Sequence, residues 1–225
     1  MLPLSPALAM STIASTPDTS SLHPELAAFA QARMAEASVI PEDRKAVLTE
    51  LANWIRSRLD AGATAPLVFI CTHNSRRSHM AELWARTAAE VFGVFGVSTH
   101  SGGTEATAFD GRAVAALKRA GFEITRETEG DNPRHRVRLG PDAQPAEAFS
   151  KVYSAPPNPR EGFAAVMTCG QADQGCPIVL GAAHRVSVPY EDPKAFDGSP
   201  REAEVYDERV AQIGREILYL FSRIP

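Results

Sequence analysis

The sequence predicts an α/β protein: a four-stranded parallel sheet with helices on both faces, preceded by a helical extension and interrupted by a β-hairpin insertion. Short apolar runs alternate with segments whose apolar residues recur at three and four, the order that builds parallel strands joined by crossover helices. The run PLVFIC at 66–71 passes without a spacer into a polar loop and then into an amphipathic helix pattern. At 127–162 a stretch with six prolines breaks the alternation, which marks an insertion.

In chain order, residues 1–22 are rich in Ser, Thr, Pro and Ala without periodicity, which predicts a mobile tail. Residues 23–64 read as a helical extension, with a short helix at 23–35 and a longer one at 41–59. In the longer helix Val47, Leu48, Leu51, Trp54, Ile55 and Leu59 share one face behind Pro41, Glu42 and Asp43, which suit a helix start. That stripe has to be buried, and docking on the following domain is the expectation.

The main domain, 65–225, carries strands at 66–71, 97–101, 163–168 and 184–189 and helices at 76–92, 110–121 and 200–222. In the last helix Val210, Ile213, Ile217 and Phe221 face the core, with Ser199 as cap and Pro200 in the first turn. The insertion holds two strand-like pieces, HRVRL and AFSKVYS, the basis for a hairpin.

The chain has 225 residues, a net charge of −4 and a pI near 5.9, with Lys and Arg dispersed. This predicts no nucleic-acid and no membrane partner, because both need a concentrated basic face. No apolar run approaches the roughly 20 residues of a spanning helix. The start MLPLSPALAMSTIAS lacks a basic n-region, so no signal peptide and a cytoplasmic location are expected. Cys71, Cys169 and Cys176 are the three cysteines, an odd number that argues against a disulfide framework and for reactive or buried reduced thiols.

The loop CTHNSRRS lies at the carboxyl end of a predicted parallel strand and at a helix start, where open α/β sheets bind ligands. Arg77 follows Cys71 by six residues and Ser78 comes next, giving C-x5-R-S. So short a loop can wrap the backbone of Thr72, His73, Asn74, Ser75, Arg76, Arg77 and Ser78 around one tetrahedral anion. Helix dipole and amide donors would hold Cys71 as thiolate, and the planar fork of Arg77 can clamp two anion oxygens. Ser78 can donate to the sulfur and Asn74 can brace the loop. The alternative for Cys71 is a buried inert thiol. His73 beside Cys71 suggests a metal only superficially, since two further ligands are missing, and no metal centre is expected.

On these residues CTHNSRRSHMAE resembles the loop of the low-molecular-weight tyrosine phosphatase superfamily, and most closely that of its thioredoxin-coupled arsenate reductase branch. The resemblance spans about residues 66–222 without the insertion. It implies that Asp192 of VPYEDPKAF is the general acid protonating a leaving oxygen. For VMTCGQADQGCP it implies a relay: Cys71 attacks arsenate, Cys169 attacks Cys71 and releases arsenite, and Cys176 takes the disulfide outward to thioredoxin. It further implies no tightly bound cofactor, but a monovalent cation near Asn74, Glu82 and Ser101.

In a regular helix Cys169 and Cys176 would stand about 10.5 Å apart, whereas a disulfide needs roughly 4.4–6.8 Å between Cα atoms. The segment is therefore expected to rearrange on oxidation, with Gly170 and Gly175 easing it. The alternative for the pair is two small apolar fillers below a strand end.

Three departures from the arsenate reductase pattern stand out: His73 for a glycine, Arg76 for a cysteine, and the extra segments. Arg76 is expected to add positive potential at the loop, and the insertion to act as a lid. Competing readings are a phosphatase acting on phosphate monoesters, a non-catalytic oxyanion or redox sensor, and a mycothiol- or glutaredoxin-coupled reductase.

Overall fold

The computed structural model describes residues 16–175 and 178–224; Cys176, with its expected place in the relay and in a rearranging segment, lies outside them, as do residues 1–15. Residues 16–22, expected to belong to a mobile tail, are docked instead. The Asp18 amide donates to the Val91 carbonyl at 2.8 Å and Leu22 is buried in the core.

The extension forms α1 (Pro24–Ala35), a 3-10 turn at Ala37–Val39 and α2 (Glu42–Asp60). Neither helix has a side-chain N-cap, a loss of about 1 kcal/mol each. Helix α2 buries Leu48, Leu51 and Ile55 completely, and at about 1.5–3 kcal/mol per side chain that burial outweighs the missing cap.

The chain continues through β1 (Ala65–Cys71), α3 (Arg77–Val91), β2 (Val97–Gly103) and α4 (Gly111–Arg119). After a three-strand excursion, β3 (Glu123–Arg126), β4 (His135–Arg138) and β5 (Ala146–Ala148), come β6 (Phe163–Met167), α5 (Gly170–Gly175), β7 (Ala182–Ser187) and α6 (Glu202–Phe221). Helix α6 starts two residues later than the Ser199 and Pro200 signals predict, with Arg201 at its N-cap. The Ser199 hydroxyl accepts the Arg201 amide just ahead of the helix.

The four-stranded sheet runs β2-β1-β6-β7 with every pair parallel. Alternation along β1 divides the core. Leu67 and Phe69 join the larger cluster with residues of α2, α3 and α6, whereas Val68 and Ile70 face a smaller one with Phe163, Met167 and Cys169. In the larger cluster Trp84 of α3 stacks on Phe29 and meets Phe122 edge-on. Gly214 of α6 admits that indole: a Cβ there would lie 2.7 Å from Trp84 Cε2.

The expected hairpin is a three-stranded antiparallel sheet, β3-β4-β5. Its first strand precedes residue 127, and of AFSKVYS only Ala148 belongs to a strand. The following residues bond elsewhere: the Gly103 amide donates to the Lys151 carbonyl and the Tyr153 amide to the Gly103 carbonyl, each at 2.9 Å. The insertion is thus fastened to the end of β2, beside the loop that follows β1.

Candidate active site

Parallel register brings the carboxyl ends of β1, β2 and β6 together, with Cys71 opposite Gly103 and Ile70 opposite Met167. Cys71 ends β1, and residues 72–76 form the loop before α3. Asn74 takes a positive φ of 45°, a left-handed conformation that Asn tolerates better than most residues.

The carbonyls of this loop are bound from one side. Thr104 N–H donates to Cys71 O, Glu105 N–H to Thr72 O, and Asp110 N–H to Ser75 O. His73 O accepts from the hydroxyls of Thr107 and Ser150. In a trans peptide the next N–H points opposite to the carbonyl, so the amides of Thr72, His73, Asn74 and Arg76 are turned away from those donors. The sequence order has become a concave set of N–H groups suited to an anion.

Asn74 holds Ser78 beside the sulfur. Its Oδ1 accepts the Lys151 amide at 2.8 Å, which fixes the side-chain amide's orientation, and Nδ2 donates to Ser78 Oγ at 2.9 Å. The Ser78 hydroxyl lies 3.1 Å from Cys71 Sγ, and either atom can be the donor of that bond. Cys71 is only 3 % exposed.

Arg77 opens α3 and sends its fork across to the segment after β7. Nη1 donates to Tyr190 O at 2.9 Å and Nη2 to Asp192 Oδ2 at 2.6 Å. Asp192 Oδ1 also accepts the Lys194 amide, capping the 3-10 turn Pro193–Phe196. A cleft of about 840 Å³ lies between the loop (His73, Arg77), α5 (Gln171, Gln174) and the 189–195 segment. No residue of 127–162 lines it. The expected lid is instead a brace behind the loop, because Ser150 and Lys151 bond to His73 and Asn74.

Arg76 is also turned from its expected place. Nε donates to the Tyr206 hydroxyl at 2.8 Å and Nη2 to Asp110 at 2.8 Å and Asp197 at 3.3 Å. Two carboxylates balance its charge, so it ties the loop to α4 and α6 rather than adding potential at the anion site. The His73 ring points outward, 3.8 Å from Glu105.

Cys169, just past β6, is 1 % exposed. Its Sγ lies 3.5 Å from Thr72 Oγ1 and accepts the Ala172 amide at 3.3 Å. Cys71 and Cys169 share the smaller apolar cluster.

The residues expected at a monovalent cation, Asn74, Glu82 and Ser101, are all buried. Both ends of the Asn74 side chain are engaged, and Ser101 Oγ is 3.2 Å from His79 Nδ1. Buried Lys151 already brings an ammonium near Glu82: burial lowers the Lys151 pKa and raises that of Glu82, each offset by the other's charge. Sequence reasoning missed Lys151, His79, Tyr190 and Arg44. Lys151, Tyr190 and Arg44 meet partners distant in the chain, so no local spacing marks them, and His79 stands three residues from Glu82 in an ordinary helical run.

A pocket of outward-bonded carbonyls, a hydroxyl-supported thiol and a rim guanidinium defines the class of α/β proteins that seat a tetrahedral oxyanion over a cysteine. Within that class, the family model for low molecular weight phosphotyrosine protein phosphatase matches residues 66–132. An arsenate reductase of Bacillus licheniformis is 28 % identical over 153 residues, 67 % of this chain and 91 % of the relative. The low molecular weight protein tyrosine phosphatase of T. tengcongensis is 18 % identical, with 70 % of this chain and 97 % of that one covered at a TM-score of 0.48. A thioredoxin-dependent arsenate reductase of Corynebacterium glutamicum is 20 % identical, with 76 % and 67 % covered at a TM-score of 0.37. Over residues 66–132, which include the cysteine loop, the chain is similar to the low molecular weight phosphotyrosine protein phosphatase family.

Proposed function

We propose that the chain is a cytoplasmic arsenate reductase that passes electrons through Cys71, Cys169 and Cys176 and is regenerated by thioredoxin. The observation that carries this reading is Cys169: a buried thiol against Thr72 of the loop, where ester hydrolysis alone needs no second sulfur.

The steps balance. Arsenate sits on the amides of residues 72–78 and the Arg77 fork, and the Cys71 thiolate attacks arsenic. An arsenic–oxygen bond breaks, and protonated Asp192 supplies the proton with which the oxygen leaves as water. The Cys169 thiolate then attacks Cys71 Sγ; the sulfur–arsenic electron pair stays on arsenic, which departs as arsenite, and a Cys71–Cys169 disulfide forms. Cys176 thiolate attacks Cys169 Sγ and frees Cys71. The dithiol of thioredoxin reduces the resulting Cys169–Cys176 disulfide.

The second reading is a phosphatase acting on phosphate monoesters, favoured by the pairing of Arg77 with Asp192. The test is NADPH oxidation with thioredoxin, its reductase and arsenate, run beside p-nitrophenyl phosphate hydrolysis for wild type and Cys176→Ser. Loss of arsenate turnover with hydrolysis retained is expected. Wild type that hydrolyses the ester but yields no thioredoxin-dependent arsenite would leave the phosphatase.

A further inference from the structure

Arg44 belongs to the extension, in the first turn of α2, yet it reaches the segment that carries Asp192. Its Nε donates to Glu216 of α6 at 2.8 Å and its Nη2 to the Pro189 carbonyl at 3.0 Å. The guanidinium carbon also lies 4.7 Å over the centre of the Tyr190 ring. Glu216 is 3 % exposed and is held from its own helix by Gln212. Arg44 is thus anchored on a fixed carboxylate while its other edge and its face grip two consecutive residues of the loop.

Those residues lead straight to the site. The Tyr190 carbonyl takes Arg77 Nη1, and two residues on Asp192 takes Nη2. We infer that Arg44 is a positioning residue: it holds Pro189 and Tyr190 so that the Tyr190 carbonyl and the Asp192 carboxylate bracket Arg77. The extension is thereby part of the acid's support as well as a cover for α6. A planar guanidinium can bridge an acid, a carbonyl and a ring at once; a lysine ammonium lacks both the fork and the stacking face. The inference rests on Asp192 being the general acid of the proposed reaction.

A displaced acid harms poor leaving groups most, because they need the proton in the transition state. The experiment compares kcat and KM for p-nitrophenyl phosphate and for phenyl phosphate, with melting temperatures alongside. Arg44→Met is expected to lower kcat on phenyl phosphate about tenfold more than on p-nitrophenyl phosphate, and Arg44→Lys to fall between it and wild type. Ile55→Val, which trims a buried methyl group from the same helix, is expected to lower stability slightly and leave the ratio of the two kcat values unchanged. Equal losses on both esters, or the same ratio change in Ile55→Val, would overturn the inference. Arg44→Lys carries the test should the Met variant not fold.

Asp192→Asn is the reference and is expected to shift the ratio at least as far. An unchanged ratio there removes the acid assignment and Arg44's role with it; should wild type be inert towards both esters, the same variants are compared on thioredoxin-coupled arsenate turnover, where a loss in Asp192→Asn with none in Arg44→Met overturns Arg44's role. A shifted ratio in Asp192→Asn with none in either Arg44 variant removes Arg44's role alone.

Discussion

Arg77 and Asp192 are joined at 2.6 Å across the mouth of the anion loop, so the guanidinium proposed to receive an oxyanion is already occupied by the proposed acid. An arriving dianion competes with Asp192 for Arg77, and a protonated Asp192 lifts that competition. The two halves of the chemistry, binding and proton delivery, therefore depend on one contact.

Asp192→Asn should separate them. The carboxylate is partly exposed, and such a pair is worth about 1 kcal/mol or less. Inorganic phosphate is expected to protect Cys71 from alkylation at up to about fivefold lower concentration in the variant. The turnover of p-nitrophenyl phosphate should fall by about 100-fold. Weaker phosphate protection in the variant would show that Asp192 helps to hold the anion.

Asn74 offers a test of the loop itself. The residue is fully buried, its backbone φ is 45° and its side chain joins Ser78 to Lys151. Asn74→Ala loses both hydrogen bonds and keeps a Cβ in the left-handed region, so a loss of about 2–4 kcal/mol in urea denaturation is expected. Asn74→Gly relieves the backbone but not the bonds. Its stability should lie between the two, with Cys71 alkylation at neutral pH slowed as in the Ala variant. Equal reactivity of Cys71 in all three proteins would mean that Ser78 needs no help from Asn74 to donate to the sulfur.

The parallel sheet was legible because each strand is a short apolar run ending at a polar loop, and C-x5-R-S is local in sequence. Cys71, Arg77 and Ser78 meet because strand end, loop and helix start are consecutive. The tertiary ties were not legible. Arg76 has the same local neighbourhood as Arg77, and only the placement of Asp110, Asp197 and Tyr206 decides which guanidinium turns to the cleft. The insertion appeared as a lid because a proline-rich segment carries no mark of where it docks. Its attachment depends on the Ser150 hydroxyl and on backbone groups of Lys151 and Tyr153, none of which a local spacing marks.

Gly103 lies at the junction of that brace with the loop. A Cβ there would come 2.2 Å from the Glu105 carbonyl oxygen and 2.7 Å from the Asn74 nitrogen, both backbone atoms. Gly103→Ala should destabilise by roughly 1–3 kcal/mol and impair phosphate protection of Cys71. Gly111→Ala, at the first position of α4 with nothing within 4 Å of a Cβ, should be neutral or stabilise by up to about 1 kcal/mol. Calorimetry on the pair checks both; a Gly103→Ala protein as stable as wild type would show that the loop can yield at this point.

The buried pair behind the loop sets opposing pH dependences. His79 is completely buried against Phe109, and burial, helped by the Lys151 charge, holds its pKa well below 6.5. The unfolded chain takes up that proton and the folded one does not. The stabilising contribution is therefore full above pH 6.5 and declines as pH falls, by at most about 1.4 kcal/mol per pH unit. Burial raises the Glu82 pKa above 4.5, so the folded state holds that proton longer, and the Glu82 contribution declines as pH rises from 4.5. Between these two values the slopes oppose. Glu82→Gln should consequently lose stability more steeply than wild type on going from pH 6.5 to 4.5, and His79→Asn less steeply. Urea midpoints at the two pH values decide the matter, because dispersed surface groups and the other histidines cancel in the comparison with wild type. A Glu82→Gln slope equal to that of wild type would mean that the Lys151 ammonium keeps Glu82 ionised throughout, with no proton held behind the loop.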